Sequence, residues 1–204
     1  MYSVKVGEQV LQPSKILCVG RNYLEHIQEL NNAIPDQMVV FSKPPTSIST
    51  TLHSFHQEPL HYEGEICFVV EKGALAAVGL GLDLTKRELQ SRLKQKGLPW
   101  ERAKAFDGSA VFSRFVPLKG IDVDSLEIEL FINCVRVQKG SVKQMMYSPS
   151  TILQELAGYT TLCDGDIIMT GTPQGVGEVH PGDLFLARLK SNDTTLIEIE
   201  WVAQ

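Results

Sequence analysis

The sequence predicts a strand-rich α+β fold. Short apolar and β-branched runs outnumber helical patterns, and the two kinds follow one another in mixed order. Leu126, Ile128, Leu130 and Ile132 alternate with Glu127 and Glu129, the period-two pattern of a half-exposed strand. At 204 residues the chain suits one domain, 1–204, with a sizeable core. A net charge of -5 leaves no basic footprint for nucleic acid. No apolar run is long enough to span a bilayer, and the N-terminus lacks a signal-peptide pattern, so no membrane association is expected. Cys18, Cys67, Cys134 and Cys163 are scattered without a C-x-x-C pair, and three sit in apolar, strand-like runs. They read as reduced, mostly buried thiols, which points to the cytoplasm.

Taken in order, Met1 to Val10 reads as a strand pair turning at Gly7. Lys15 to Val19 is a compact strand, ending at a glycine turn, Gly20-Arg21-Asn22-Tyr23, that leads into a helix. Leu24, Ile27 and Leu30 share one stripe of that helix. His26 and Glu29 are neighbours elsewhere on it. A carboxylate beside an imidazole orients it and raises its basicity, as in a general base that activates water. An exposed ion pair of little consequence has the same spacing. The helix is short and runs into a polar loop, Asn31 to Gln37, so it is free to act as a lid. Val39 to Phe41 is a strand broken by Lys43-Pro44-Pro45, and His53 and His56 read as solvent-exposed loop residues.

The chain is organised around His61-Tyr62-Glu63-Gly64-Glu65, flanked by Leu60 and by Ile66 to Val70. Side chains alternate along a strand, so Glu63 and Glu65 share a face. Two adjacent carboxylates repel, and a divalent cation would relieve this. Gly64 admits close approach of another backbone or a ligand. In Val78-Gly79-Leu80-Gly81-Leu82-Asp83, the glycines form a nearly bare face ending in Asp83, a third oxygen ligand if the two strands are neighbours. Such a set favours Mg²⁺, Mn²⁺ or Ca²⁺ over Zn²⁺. Alternation by itself does not rule out a solvated strand face.

Thr85-Lys86-Arg87-Glu88 has the capping-box pattern, opening a helix that runs to Gly97. Arg87 and Gln90 lie in its first turns, near Asp83, and an arginine there suits a substrate carboxylate. Trp100 to Phe106 carries Lys104, and Val111 to Leu118 is strand-like. Ser148-Pro149 opens another helix, with Ile152, Leu153 and Leu156 inward. Asp164-Gly165-Asp166 turns into the strand Ile167 to Met169. The loop Thr170-Gly171-Thr172-Pro173-Gln174-Gly175-Val176-Gly177 can present backbone N–H groups to an anion but lacks a phosphate-loop signature. Leu184 to Leu189 and Thr195 to Trp201 read as a closing hairpin.

Several of these stretches resemble, in the same order, the fumarylacetoacetate hydrolase family. They are Lys15 to Tyr23 with His26 and Glu29, Phe41-Ser42-Lys43-Pro44, His61 to Glu65, Leu82 to Thr85 with Arg87 and Gln90, Lys96 to Trp100 with Ala103 to Asp107, and Thr170 to Gly177. The small bacterial acylpyruvate hydrolase type looks nearest. The resemblance implies a mixed β-roll, usually assembled as a homodimer. It implies Mg²⁺ or Mn²⁺ on Glu63, Glu65 and Asp83, and a lid carrying His26 and Glu29. It also implies catalytic Lys104 and substrate contacts from Arg21, Arg87, Gln90, Gly171 and Thr172. Three departures stand out: Gly64 replaces a bulkier apolar residue, the Val70–Val78 connection looks clipped, and Cys134 follows Asn133 where the family has Asn-Gly.

The function implied is hydrolytic C–C cleavage of a 2,4-dioxo acid, an acylpyruvate or fumarylpyruvate, to pyruvate and a carboxylic acid. His26, held by Glu29, would deprotonate the attacking water, with the enolate charge stabilised by the metal and Lys104. The same site serves oxaloacetate decarboxylation, keto–enol tautomerisation or isomerisation of an unsaturated 2-oxo diacid. Those reactions need no attacking water. A binding module with a degraded site is the third reading, and the intact carboxylate set argues against it.

Overall fold

The computed structural model describes residues 2–204. In chain order the strands are β1 (Val4–Val6), β2 (Gln9–Leu11), β3 (Ile16–Gly20), β4 (Val39–Lys43), β5 (Ile48–Ser49), β6 (His61–Tyr62), β7 (Gly64–Glu71) and β8 (Ala74–Asp83). They continue with β9 (Ala110–Phe112), β10 (Val116–Pro117), β11 (Leu126–Ile132), β12 (Val135–Ser141), β13 (Ile167–Met169), β14 (Gly177–Glu178), β15 (Leu184–Ser191) and β16 (Thr194–Val202). The α-helices are α1 (Leu24–Glu29), α2 (Arg87–Gln95), α3 (Glu101–Lys104) and α4 (Pro149–Tyr159). This is the expected strand-rich α+β roll.

A mixed sheet runs β4-β3-β13-β7-β8-β9-β5, with β10 also paired to β8. A second, antiparallel sheet runs β12-β11-β15-β16. Along β7, Ile66 and Phe68 face the second sheet and join Leu80, Leu82, Ile128, Leu130, Phe185 and Leu189 in the largest core. Cys67 and Val69 face the other way and pack with Ile16, Cys18, Phe115 and Met169. Both faces of β7 are covered, so its sequence is continuously apolar rather than alternating. On the face shared with the second sheet, α4 sets Ile152 and Leu156 against Leu17, Val19 and Ile168. β7 and β8 are joined by Lys72 (φ 50°) and Gly73 (φ 73°), the two-residue turn whose backbone matches strand twist.

Several expectations need correction. Gly7 does turn β1 into β2, and Met1 lies outside the described residues. Leu24 is 41% exposed, because α1 turns His26 and Ile27 inward instead. Cys18 and Cys67 are buried, but Cys134 and Cys163 are exposed, one in a hairpin turn and the other in a loop. His53 is exposed, whereas His56 is half-buried with its ring 4.9 Å from that of Phe106. The glycine face of β8 is not bare: a Cβ on Gly79 would stand 2.8 Å from the Phe115 ring, and one on Gly81 2.7 Å from Cys67 Sγ. The Val111 to Leu118 run breaks into β9 and β10, and Phe115 N–H donates to Lys5 O between them. No capping box forms at α2, whose N-cap is Lys86. Thr85 is unavailable because its backbone pairs with His61 and its hydroxyl donates to Asp83 O while accepting from Lys104.

Candidate active site and metal centre

The strand hairpin brings three acids together. Glu63 lies at the junction of β6 and β7, Glu65 follows on β7 opposite Gly81, and Asp83 ends β8 with its N–H donating to Glu63 O at 2.8 Å. One oxygen from each carboxylate lies within 4.8 Å of the others. The three residues are only 6%, 2% and 1% exposed, so the solvated-face alternative does not hold.

Three cations surround this cluster. Lys104 Nζ lies 2.8 Å from Glu63 Oε2, 2.7 Å from Asp83 Oδ2 and 2.7 Å from Thr85 Oγ1. Arg87 Nη2 lies 2.5 Å from Glu63 Oε1, while its Nη1 donates to Gln90 Oε1 at 3.0 Å. Lys43, which the sequence reading gave no role, is fully buried with Nζ 2.9 Å from Asp83 Oδ1. Its three ammonium protons, however, meet Lys104 O, Ser109 O and Ser109 Oγ. Asp83 Oδ1 is therefore paired by charge but has no hydrogen-bond donor among the described residues. The visible signal for Lys43 was a lysine at the end of an apolar strand, directly before Pro44-Pro45.

The electrostatics differ among the acids. Burial opposes ionisation of Glu63, but Lys104 and Arg87 outweigh it and hold the carboxyl well below its usual range. Burial also opposes the Lys104 charge, and Asp83 and Glu63 restore it. Glu65 is pushed well up, by burial first and then by Asp83 and Glu63. Among the described residues its Oε2 accepts only the Gly171 N–H, at 2.8 Å. An undercompensated Glu65, a donorless Asp83 oxygen and an all-oxygen donor set fit a hard divalent cation.

α1 lies over this cluster. His26 Nδ1 is 3.1 Å from Glu29 Oε2, and Glu29 Oε1 accepts the Gly175 N–H at 2.9 Å. α1 is thus tied to the glycine-rich loop, whose Gly171 and Gly175 amides serve the protein's own carboxylates. A cavity of about 30 Å³ remains, lined by Arg21, His26, Glu63, Glu65, Asp83, Arg87, Gln90, Lys104 and Thr172 among others. Of the residues singled out from sequence, Glu29 and Gly171 do not line it. Glu29 stands behind His26, and the Gly171 amide is occupied by Glu65.

Gln138 was not foreseen. Its Oε1 accepts from Gly64 N–H at 2.9 Å, and its Nε2 donates to Thr172 Oγ1 at 2.9 Å and Pro173 O at 2.8 Å. A Cβ on Gly64 would stand 2.9 Å from that Oε1, so the close approach that Gly64 permits is by Gln138. The clipped Val70–Val78 connection stays away from the cavity, with Lys72 N–H on Asp164 Oδ1 at 2.6 Å.

The model of the Fumarylacetoacetate (FAA) hydrolase C-terminal family matches residues 15–202. The chain belongs to the fumarylacetoacetate hydrolase family. Among its relatives, the oxaloacetate tautomerase YcgM of Escherichia coli (strain K12) is 33% identical over 192 residues, 83% of this chain and 85% of the relative. A crystal structure from Oleispira antarctica, of a candidate fumarylacetoacetate isomerase/hydrolase, is 34% identical with a TM-score of 0.95 and covers 100% of both chains. The crystal structure of fumarylpyruvate hydrolase from Pseudomonas aeruginosa, in complex with Mn²⁺ and pyruvate, is 26% identical with a TM-score of 0.89, covering 98% of this chain and 94% of that one. Relatives named as a tautomerase and as a hydrolase share this fold, and the chain is a member of that enzyme family.

Proposed function

We propose that residues 1–204 form one metal-dependent catalytic domain that interconverts the keto and enol forms of an oxaloacetate-like 2-oxo acid. The observation that carries this reading is one small cavity faced by three buried carboxylates, the Lys104 ammonium and the His26 imidazole. The tautomerase name of the Escherichia coli relative supports the same reaction.

Tautomerisation moves a proton between C3 and the 2-oxo oxygen through an enolate. Glu63, Glu65 and Asp83 would hold Mg²⁺ or Mn²⁺, which when bound supplies Lewis-acid stabilisation of enolate charge. Lys104, kept charged by Asp83 and Glu63 and almost fully buried, adds a fixed positive charge beside the carboxylates. His26, oriented by Glu29, takes the proton from C3 and delivers it to the 2-oxo oxygen, and carries it the other way when the enol ketonises. Arg87, steadied by Gln90, offers its guanidinium to a substrate carboxylate, and Thr172 and Arg21 complete the polar lining.

The His26–Glu29 pair also favours a second reading, hydrolytic C–C cleavage of a 2,4-dioxo acid, in which the imidazole deprotonates water. The likeness to fumarylpyruvate hydrolase points the same way. The deciding experiment follows the ultraviolet absorbance of enol-oxaloacetate with and without Mg²⁺ or Mn²⁺, beside cleavage of acetylpyruvate and fumarylpyruvate. Metal-dependent acceleration of ketonisation above both cleavage rates is the expected result. Faster cleavage of either dioxo acid would replace the tautomerase reading with the hydrolase one.

A further inference from the structure

One part of the cavity wall carries two cations, Lys94 and Arg21, that make no ion pair among the described residues. Arg87, Gln90 and Lys94 recur at helical spacing on one side of α2 and line the cavity, while Glu88, Ser91, Arg92 and Gln95 are exposed. Arg87 is paired with Glu63, but no carboxylate lies within 4.0 Å of Lys94 among the described residues. Lys94 Nζ donates to Asn32 Oδ1 at 2.9 Å and stands 5.9 Å from the centre of the Trp100 ring. Burial, with Arg21 and Arg87 adding to it, brings the Lys94 ammonium down to about 8. The geometry describes a cation with no ion-pair partner among the described residues.

Arg21 lines the same cavity and likewise has no hydrogen-bond or ion-pair partner among the described residues. It adopts φ 58°, a left-handed conformation uncommon outside glycine. The turn that holds it is packed from behind: a Cβ on Gly171 would stand 2.9 Å from Asn22 Cβ and 3.0 Å from Val19 O. The adjacent Asn22 is fixed as well, with Nδ2 donating to Thr170 O at 2.8 Å and Tyr147 O at 3.0 Å. Arg21 therefore springs from a rigid base.

We propose that Lys94 and Arg21 form a second anion subsite, taking the distal carboxylate of a dicarboxylic 2-oxo acid and selecting it over 2-oxo monoacids. This rests on the reading that the acid cluster, once metal-loaded, binds the 2-oxo acid end of the substrate. A carboxylate between the two cations converts an unpaired, partly buried charge into charge-assisted hydrogen bonds. Lys94 is the adjustable member, on a flexible stem tethered by Asn32. Arg21 supplies a charge that does not titrate.

The test is calorimetric, on the full chain loaded with Mg²⁺. Three probes are used: oxalate, which reports the metal end alone, 2-oxobutyrate as the monoacid, and difluoro-oxaloacetate as a diacid without a C3 proton. The wild type should bind the diacid at least about tenfold more tightly than the monoacid, the scale of one charge-assisted hydrogen bond. Lys94→Gln and Arg21→Gln should each lose about tenfold for the diacid and less than about twofold for oxalate. Lys94→Arg should keep the preference. Unchanged diacid affinity in Lys94→Gln overturns the subsite, as does an equal loss for oxalate and diacid. If oxalate binds but the wild type shows no diacid preference, the subsite alone falls. If neither probe binds the metal-loaded protein, the 2-oxo acid reading falls and takes the subsite with it.

Discussion

Glu29 and Gly175, 146 residues apart, are joined by a hydrogen bond of 2.9 Å from the Gly175 amide to the Glu29 carboxylate. The other oxygen of that carboxylate lies 3.1 Å from His26 Nδ1, so one side chain joins α1 to the glycine-rich loop and contacts the imidazole. Gly175 is at φ 100°, and a Cβ there would stand 1.9 Å from Val137 O, so the amide has little freedom to move. The proposed chemistry then predicts that His26→Ala loses ~10²–10⁴-fold in kcat, the usual range for a positioned acid–base group. Glu29→Gln should lose less, because His26 stays in place but is less well oriented. Calorimetry with Mn²⁺ should show both variants binding metal as the wild type does. An undiminished kcat in His26→Ala would remove it from the mechanism.

Lys43 is buried against Asp83 and three protein oxygens. Removing one member of a buried charge pair typically costs ~3–5 kcal/mol. Lys43→Met should therefore lower unfolding stability in urea by about that amount in metal-free protein. A bound divalent cation stabilises only the folded state, so millimolar Mn²⁺ should restore part of the loss. A variant within ~1 kcal/mol of wild type without metal would show that the buried lysine is not needed there.

Gly64 leaves no room for a methyl group beside Gln138 Oε1. Gly64→Ala should cost about 1–3 kcal/mol through overpacking, measured by thermal or denaturant unfolding. The Gly64→Ala, Gln138→Ala double variant should lose less than the sum of the two, since shortening Gln138 removes the clash. Simple additivity would mean that the two positions do not compete for the same space.

Asp166 ties the start of β3 to the turn before β13. It accepts from Ser14 Oγ at 2.6 Å, Lys15 Nζ at 2.6 Å and Cys163 N–H at 2.8 Å, with its side chain fully buried. Burial pushes its pKa up, but the bonds from Lys15, Ser14 and Cys163 outweigh this and hold it below the ordinary 3.8. A depressed folded-state pKa means that the stabilisation is complete above the unfolded value and fades as pH falls through the folded one. Asp166→Asn should be less stable than wild type at pH 7, with the gap narrowing below about pH 4. A gap constant from pH 7 down to acid unfolding would show that ionisation of Asp166 is not its source.

Features depending on neighbours in the chain could be read from the chain alone. Period-two alternation put Glu63 and Glu65 on one face, and the Lys72-Gly73 turn returned β8 alongside β7 so that Asp83 joined them. The ordered motifs were enough to point to the family. Only the tertiary structure decided that Lys43 faces Asp83, that Gln138 fills the space above Gly64, that Thr85 serves Lys104 instead of capping α2, and that Lys94 shares a cavity with Arg21. Each of these pairs segments separated by loops and strand crossovers, and local periodicity carries no record of which distant side chain arrives opposite. A buried polar atom takes whatever partner the folded chain brings within about 3 Å.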